Sequence, residues 1–328
     1  MLYLHPTSHN RALIFVRACL LLCVCSPARA DNGWEGRILS LSWDNDALAG
    51  TDRHYTEGAR ISYLSKDDAL PKWTGSLSDF LPSLGFEPQA RKYGLELGQE
   101  IYTPEDLHAA AVVENDRPYA GWLYARASLI RRGESFASSI AMETLSLDLG
   151  IVGPGSGAEI TQKTLHSKAP AGWRHQLKNE PGVDLRYDRR RLFEAHFDDW
   201  WRLQFIPSLA ASAGNVDTHM GVGGTVRFGY NVPNEFEVPA GATPYKFGAY
   251  VFSGAEGRWV IRNIFLDGNT FRSSHHVDKE PLVGDLKLGV GLVLKRFEVI
   301  LSHTFLTHEF KAQDKEDSFS SATLLFKF

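Results

Sequence analysis

The segment Leu286-Lys287-Leu288-Gly289-Val290-Gly291-Leu292-Val293-Leu294 sets an apolar residue at every second position. Leu145-Ser146-Leu147-Asp148-Leu149 and Gly94-Leu95-Glu96-Leu97-Gly98-Gln99-Glu100 repeat the pattern. A period of two belongs to strands whose two faces meet different surroundings. After residue 30 no apolar run reaches the length of a membrane-spanning helix. If this chain enters a membrane, it does so with strands.

The first thirty residues read as a secretory leader. Arg11 and Arg17 precede the apolar run 18–24, and Ala28-Arg29-Ala30 is a cleavage signal, so cutting is expected after Ala30 with one domain from 31 to 328. All three cysteines (Cys19, Cys23, Cys25) lie in the leader. The remaining chain therefore has no disulfide, thiolate nucleophile or cysteine-ligated metal. The leader holds three of the 35 basic residues and none of the 39 acids, so its removal makes the chain more acidic than the overall −4. No basic surface suggests a nucleic-acid partner.

Alternating strands fit either a soluble sandwich or an outer-membrane barrel with its apolar face in lipid. The C-terminus favours the barrel. Leu324, Phe326 and Phe328 share one face and end the chain on phenylalanine, which resembles the final strand of bacterial outer-membrane barrels. Trp43, Trp122, Trp200, Trp201 and Trp259 fall near expected strand ends, where an aromatic girdle sits. The expected strands are 35–45, 54–65, 91–102, 118–132, 136–151, 183–196, 200–213, 217–230, 245–266, 282–295, 297–310 and 317–328. The fold expected is an all-β transmembrane antiparallel barrel of about 12 strands, both termini periplasmic. A short helix is expected near Leu77–Leu84 in the connection 66–91, and another after strand five over 158–166. Glu96, Glu100, Asp148, Arg186 and Arg189 to Arg191 supply charges for pairing within the barrel.

With that orientation the polar clusters Asn45–Thr56, Tyr102–Tyr119 and Gly153–Glu180 all lie at the outer end. Gln162 and His166, four apart, share one helical face. There is no G-x-S-x-G elbow and no H-E-x-x-H zinc motif. Asn45, Asp46, Thr56 and backbone carbonyls suit a hard cation such as calcium rather than zinc, with Asp46 and Thr56 the candidate metal residues. A histidine beside such a cation can take a proton from water while the cation holds developing negative charge. Asp116 and Arg117 either pair across the rim or shape the site, and His275-His276 reads as a solvated loop pair.

Six motifs in order, W-D-N-D (43–46), D-R-H-Y-T-E-G (52–58), G-Q-E-I-Y-T-P (98–104), N-D-R-P-Y-A-G-W (115–122), D-L-G-I-V-G-P (148–154) and Q-K-T-L-H (162–166), are similar to the lipid A 3′-O-deacylase family, LpxR. The resemblance implies a twelve-stranded outer-membrane barrel, acting as a monomer on lipopolysaccharide of the outer leaflet. Its calcium-dependent site would hydrolyse the 3′-linked acyloxyacyl ester of lipid A. It also implies a water-activating role for His166, an active-site role for Gln162, a calcium and oxyanion role for Asn45 and Asp46, and a hydroxyl role for Thr56. The family's lysine after Y-S/T-P has no counterpart in 105–114, where only His108 is partly basic, and Glu180 is a guess for its downstream glutamate. The competing readings are an outer-membrane phospholipase using a serine and a non-enzymatic pore or adhesin-like barrel.

Overall fold

A computed structural model describes residues 36–46, 54–70, 85–135, 139–165, 170–234 and 247–328. The leader and the helix expected at Leu77–Leu84 lie outside the described residues. Twelve strands form: β1 (Ile38–Asn45), β2 (His54–Leu64), β3 (Ala90–Thr103), β4 (Ala120–Ser135), β5 (Ser139–Val152), β6 (Glu180–His196), β7 (Trp201–Gly214), β8 (Asp217–Tyr230), β9 (Phe247–Asn263), β10 (Leu282–Leu294), β11 (Phe297–Leu306) and β12 (Asp317–Lys327). Each pairs antiparallel with its neighbours, and β1 pairs with β12 to close the barrel. Closure leaves no strand edge to hydrogen-bond inside lipid. Helix α1 (Ala158–Leu165) follows β5, and a single helical turn α2 (Ile264–Asp267) follows β9.

The alternation assigns the two faces of the wall. Leu95, Leu97, Leu147, Leu149, Val183 and Leu185 are all exposed, and they occupy successive odd positions of β3, β5 and β6. These odd positions face lipid. The residues between them turn inward and pair. Arg126 places Nε and Nη2 on Asp148 at 2.6 and 2.8 Å and Nη1 on Glu96 at 3.1 Å, while Arg186 Nε donates to Asp148 at 2.8 Å. Arg189 and Arg191, expected inside, fall instead on the lipid-facing side, because the sheet alternates strictly through β6.

The two halves of the lumen differ. Towards the periplasm lies a cavity of about 880 Å³ lined by residues such as Lys92, Arg132, Arg190, Glu298 and Lys327. Towards the outside, Trp122, Tyr124, Val152, Leu177, Val216, Ile264 and Phe265 make one buried apolar cluster. Phe265, delivered by α2, stacks on Tyr102 with ring centroids 4.0 Å apart. That packing fills the outer mouth. Trp122 is therefore not a girdle residue: it is 2% exposed and stacked on Tyr124. Trp200, Trp201 and Trp259 are exposed as a girdle requires.

Candidate active site at the outer rim

Helix α1 lies against the outside of the wall rather than over the mouth. Gly157 ends the preceding 3-10 turn with φ +72°, a conformation that suits glycine, and so redirects the chain out of β5. Gly121 of β4 has no room for a Cβ because Ser156 and Ala158 approach it directly. Gln99 Nε2 donates to Ser156 O at 2.7 Å. Ile101, Tyr119, Ala158 and Trp173 then bury one another against β3. The result is a helix held flat on the lipid-facing side of β3 and β4.

Gln162 points into that contact. Its side chain is fully buried, and Oε1 accepts a 2.7 Å hydrogen bond from Trp173 Nε1. Helix α1 is described as far as Leu165, and His166 lies outside the described residues.

The β1–β2 end supplies the other members. Asn45 pairs in register with Glu57, whose Oε1 accepts from Trp43 Nε1 at 3.0 Å. A bulge between Tyr55 and Glu57 gives Thr56 an unpaired position in the ladder. Thr56 Oγ1 lies 2.7 Å from Thr103 Oγ1, and both residues are fully buried. The amide of Asp46 donates to Thr56 O at 3.4 Å, so the Asp46 backbone, its residue 1% exposed, is tied to that of Thr56. Asp46, the residue after Asn45, is thus tied to Thr56, and Thr103 is a partner that motif reading did not name.

His54, two residues before Thr56, is a second missed residue. Its backbone is left-handed (φ 65°), which a non-glycine residue adopts at a cost. Its ring lies between two carboxylates, Nδ1 at 2.5 Å from Asp317 and Nε2 at 3.2 Å from Asp116, with Phe310 edge-on. Because the carboxylates contact opposite nitrogens, they grip the imidazole and do not share a common ion. Arg117 bonds Glu309 at 2.5 Å and stands over Tyr102 and Phe310. His275, read from sequence as a solvated loop residue, instead places Nε2 2.7 Å from Asp116 O. Four separate chain segments are joined here. Burial alone would raise the Asp116 pKa, but the hydrogen bond and charge of His54, with the amides of Glu105 and Arg117, bring it below the ordinary value. The clue in the sequence was the placing of His54 and Thr56 at strand period in one motif.

The remaining candidates separate from this group. Glu180 receives Asn269 Nδ2 at 2.9 Å and Thr270 N at 3.0 Å, and it clamps the start of β6 to the loop after α2. That use explains its burial without chemistry. His108 is exposed in the β3–β4 loop, its amide on Asp106.

The outer membrane protein LpxR family model matches residues 14–328. The chain belongs to the LpxR family. LpxR from Salmonella typhimurium superposes with a TM-score of 0.69 at 23% identity, covering 89% of this chain and 100% of that one. The translocator domain of the autotransporter NalP from Neisseria meningitidis covers 98% of this chain and 97% of its own at 8% identity, with a TM-score of 0.43. The β domain of the Bordetella autotransporter BrkA covers 91% and 99% at 8% identity, with a TM-score of 0.42. Among curated proteins none matches the sequence. As an LpxR-family barrel the chain resides in the outer membrane. Of the described residues, Asn45, Asp46, Thr56 and Thr103 meet on the strands, and Gln162 lies on the applied helix beside Trp173.

Proposed function

We propose that this outer-membrane barrel is a lipid A 3′-O-deacylase acting on lipopolysaccharide in the outer leaflet. One observation carries the reading: α1 is applied to the lipid-facing side of the wall and buries Gln162 there. A site so placed can meet an ester within the membrane, which a lumenal site behind a filled mouth could not.

His166, the residue after α1, takes a proton from water as the oxygen attacks the ester carbonyl. It returns that proton to the departing sugar 3′-oxygen, so the products are the acyloxyacyl acid and a free 3′-hydroxyl. Gln162, locked by Trp173, and Asn45 at the strand end orient the ester carbonyl. The donors fit a calcium ion: a carboxylate on Asp46, a hydroxyl on Thr56 and nearby carbonyls are hard oxygens, and no cysteine lies among the described residues. Asp46 and Thr56 would hold that ion. When bound, it would supply positive charge for the oxyanion. The filled mouth speaks against a pore.

Mass spectrometry of lipid A from a host expressing the chain tests the reading. The expected product lacks the 3′ acyloxyacyl group, and chelation of divalent cations abolishes the change. Unaltered lipid A in a host carrying the folded, wild-type barrel would refute it.

A further inference from the structure

The ring of His54 is enclosed and held at both nitrogens. The residue is 3% exposed, with Nδ1 2.5 Å from Asp317 Oδ2, Nε2 3.2 Å from Asp116 Oδ1 and the Phe310 ring edge-on at 5.2 Å. The two carboxylates are anchored in their turn. Asp116 accepts from the amides of Glu105 and Arg117, each at 2.7 Å, and Asp317 accepts from Gln313 Nε2 at 3.0 Å. A ring so covered does not reach an ester. What it can do is hold its own backbone.

That backbone is the left-handed residue (φ 65°) with which β2 begins. A residue carrying a Cβ keeps this conformation only where its surroundings impose it. In the ladder His54 pairs with Thr103 and Tyr55 with Tyr102, and pairing resumes at Glu57 with Ile101. Thr56 is therefore the extra residue of the bulge. Its hydroxyl reaches Thr103, the ladder partner of His54, at 2.7 Å, and its carbonyl accepts from the Asp46 amide at 3.4 Å. A Thr56 hydroxyl that donates to Thr103 keeps both its lone pairs for a cation. The bend at His54 is thus two residues from Thr56 and acts through it on Asp46.

We propose that His54 is a positioning residue for the calcium ligands. The grip of Asp116 and Asp317 on its ring keeps its backbone left-handed, and that bend keeps the Thr56 oxygens beside Asp46. Asp116 and Asp317, neither of them a proposed ligand, thereby set how tightly the ion is held. This inference rests on the calcium site of the proposed function and adds to it what holds that site in shape.

Calorimetric titration of calcium into the folded, full-chain barrel tests it, with thermal melting measured alongside. His54→Gly permits the left-handed backbone without the ring. It should weaken calcium binding about tenfold, the lower end of what residues that orient metal ligands contribute. Asp317→Ala, which frees one side of the ring, should weaken binding by a similar factor. The double variant should be no weaker than His54→Gly, because without the ring the carboxylate has nothing to grip. Leu192→Ala, in a buried cluster at the periplasmic end, should lower the melting temperature and leave calcium affinity unchanged. Wild-type affinity in a folded His54→Gly barrel overturns the proposal, as do losses that add in the double variant or an equal loss in Leu192→Ala. Should His54→Gly not fold, wild-type affinity in Asp317→Ala overturns it equally. A wild-type barrel that takes up no calcium would instead remove the metal from the proposed function, and this inference with it.

Discussion

The two ends of this barrel bury polar groups in opposite ways. At the periplasmic end, charged residues line a cavity of about 880 Å³ and pair across neighbouring strands, as Lys327 does on Glu298 at 2.7 Å. At the outer end, polar residues reach across chain segments far apart in sequence, as His54 does between Asp116 and Asp317. The first arrangement follows from ladder register and holds the cylinder together. The second cannot form until several loops have closed over the mouth, and it fixes side chains that ladder register alone would not bring together. Alternation thus builds a scaffold throughout, while the residues proposed for catalysis gather at the end where loops converge.

The sharpest way to break this contrast is to remove a reactive group from each end. Replacing His166 or Asp46 with alanine should leave a heat-modifiable barrel but cost about 10²- to 10⁴-fold in deacylation, the usual worth of a positioned proton acceptor. Release of 3′ acyl chains, followed by lipid A mass spectrometry, is the readout. Wild-type rates in a folded His166→Ala protein would remove the proposed chemistry. At the other end, Glu298→Ala removes the buried carboxylate that receives the Lys327 ammonium and the Tyr250 hydroxyl. It should destabilise the barrel by roughly 3–5 kcal/mol, the cost of breaking a buried pair. A shifted denaturation midpoint with unchanged turnover per folded molecule is expected, and lost turnover at full folding would erase the division.

Acid should loosen the outer end in a particular place. The Asp116 pKa is depressed by His54 and by two amides, so its stabilising contribution is complete above about pH 4. It is lost as pH falls further and the carboxylate takes a proton. The amides of Glu105 and Arg117, which donate to Asp116 at 2.7 Å, should lose hydrogen-exchange protection in that range. Asp116→Asn should show weakened protection already at neutral pH, and protection that ignores both pH and substitution would detach this carboxylate from the loop closure.

Much of the cylinder was legible because its cause is local. A period of two, a terminal phenylalanine and Gly/Asp-rich turns are properties of short segments, and β8, expected at 217–230, spans Asp217–Tyr230. Where register rather than pattern decides, sequence reading failed. Arg189 and Arg191 look like lumenal partners of Glu96 and Asp148 until the pairing of β5 with β6 turns them outward. Trp122 looks like a girdle residue until α2 brings Phe265 down beside it. At the rim, the strand motifs named Asn45, Asp46 and Thr56, which are adjacent through one hairpin. The grip on His54 comes from Asp116 and Asp317, 62 and 263 positions away, and no spacing rule reaches that far.

The smallest expected effect concerns how firmly the outer helix must be held. Trp173 is 1% exposed and packs on Tyr119 at 4.9 Å, so its ring is part of the contact that seats α1. Phenylalanine at 173 preserves most of that packing but deletes the indole N–H that Gln162 Oε1 accepts. A neutral hydrogen bond contributes about 1 kcal/mol net, which converts to roughly fivefold. If Gln162 must point at the substrate carbonyl, Trp173→Phe should lower kcat for deacylation by about that factor. The melting of the barrel should hardly move, because no strand pairing is touched. A larger stability loss with unchanged kcat would mean that the bond seats the helix and leaves Gln162 free of the chemistry. Gln162→Glu separates the cases further. It keeps an acceptor for Trp173 but removes the amide donors, so it should keep α1 seated while impairing turnover. Full turnover in Gln162→Glu would leave only the strand-borne residues and His166 to account for catalysis.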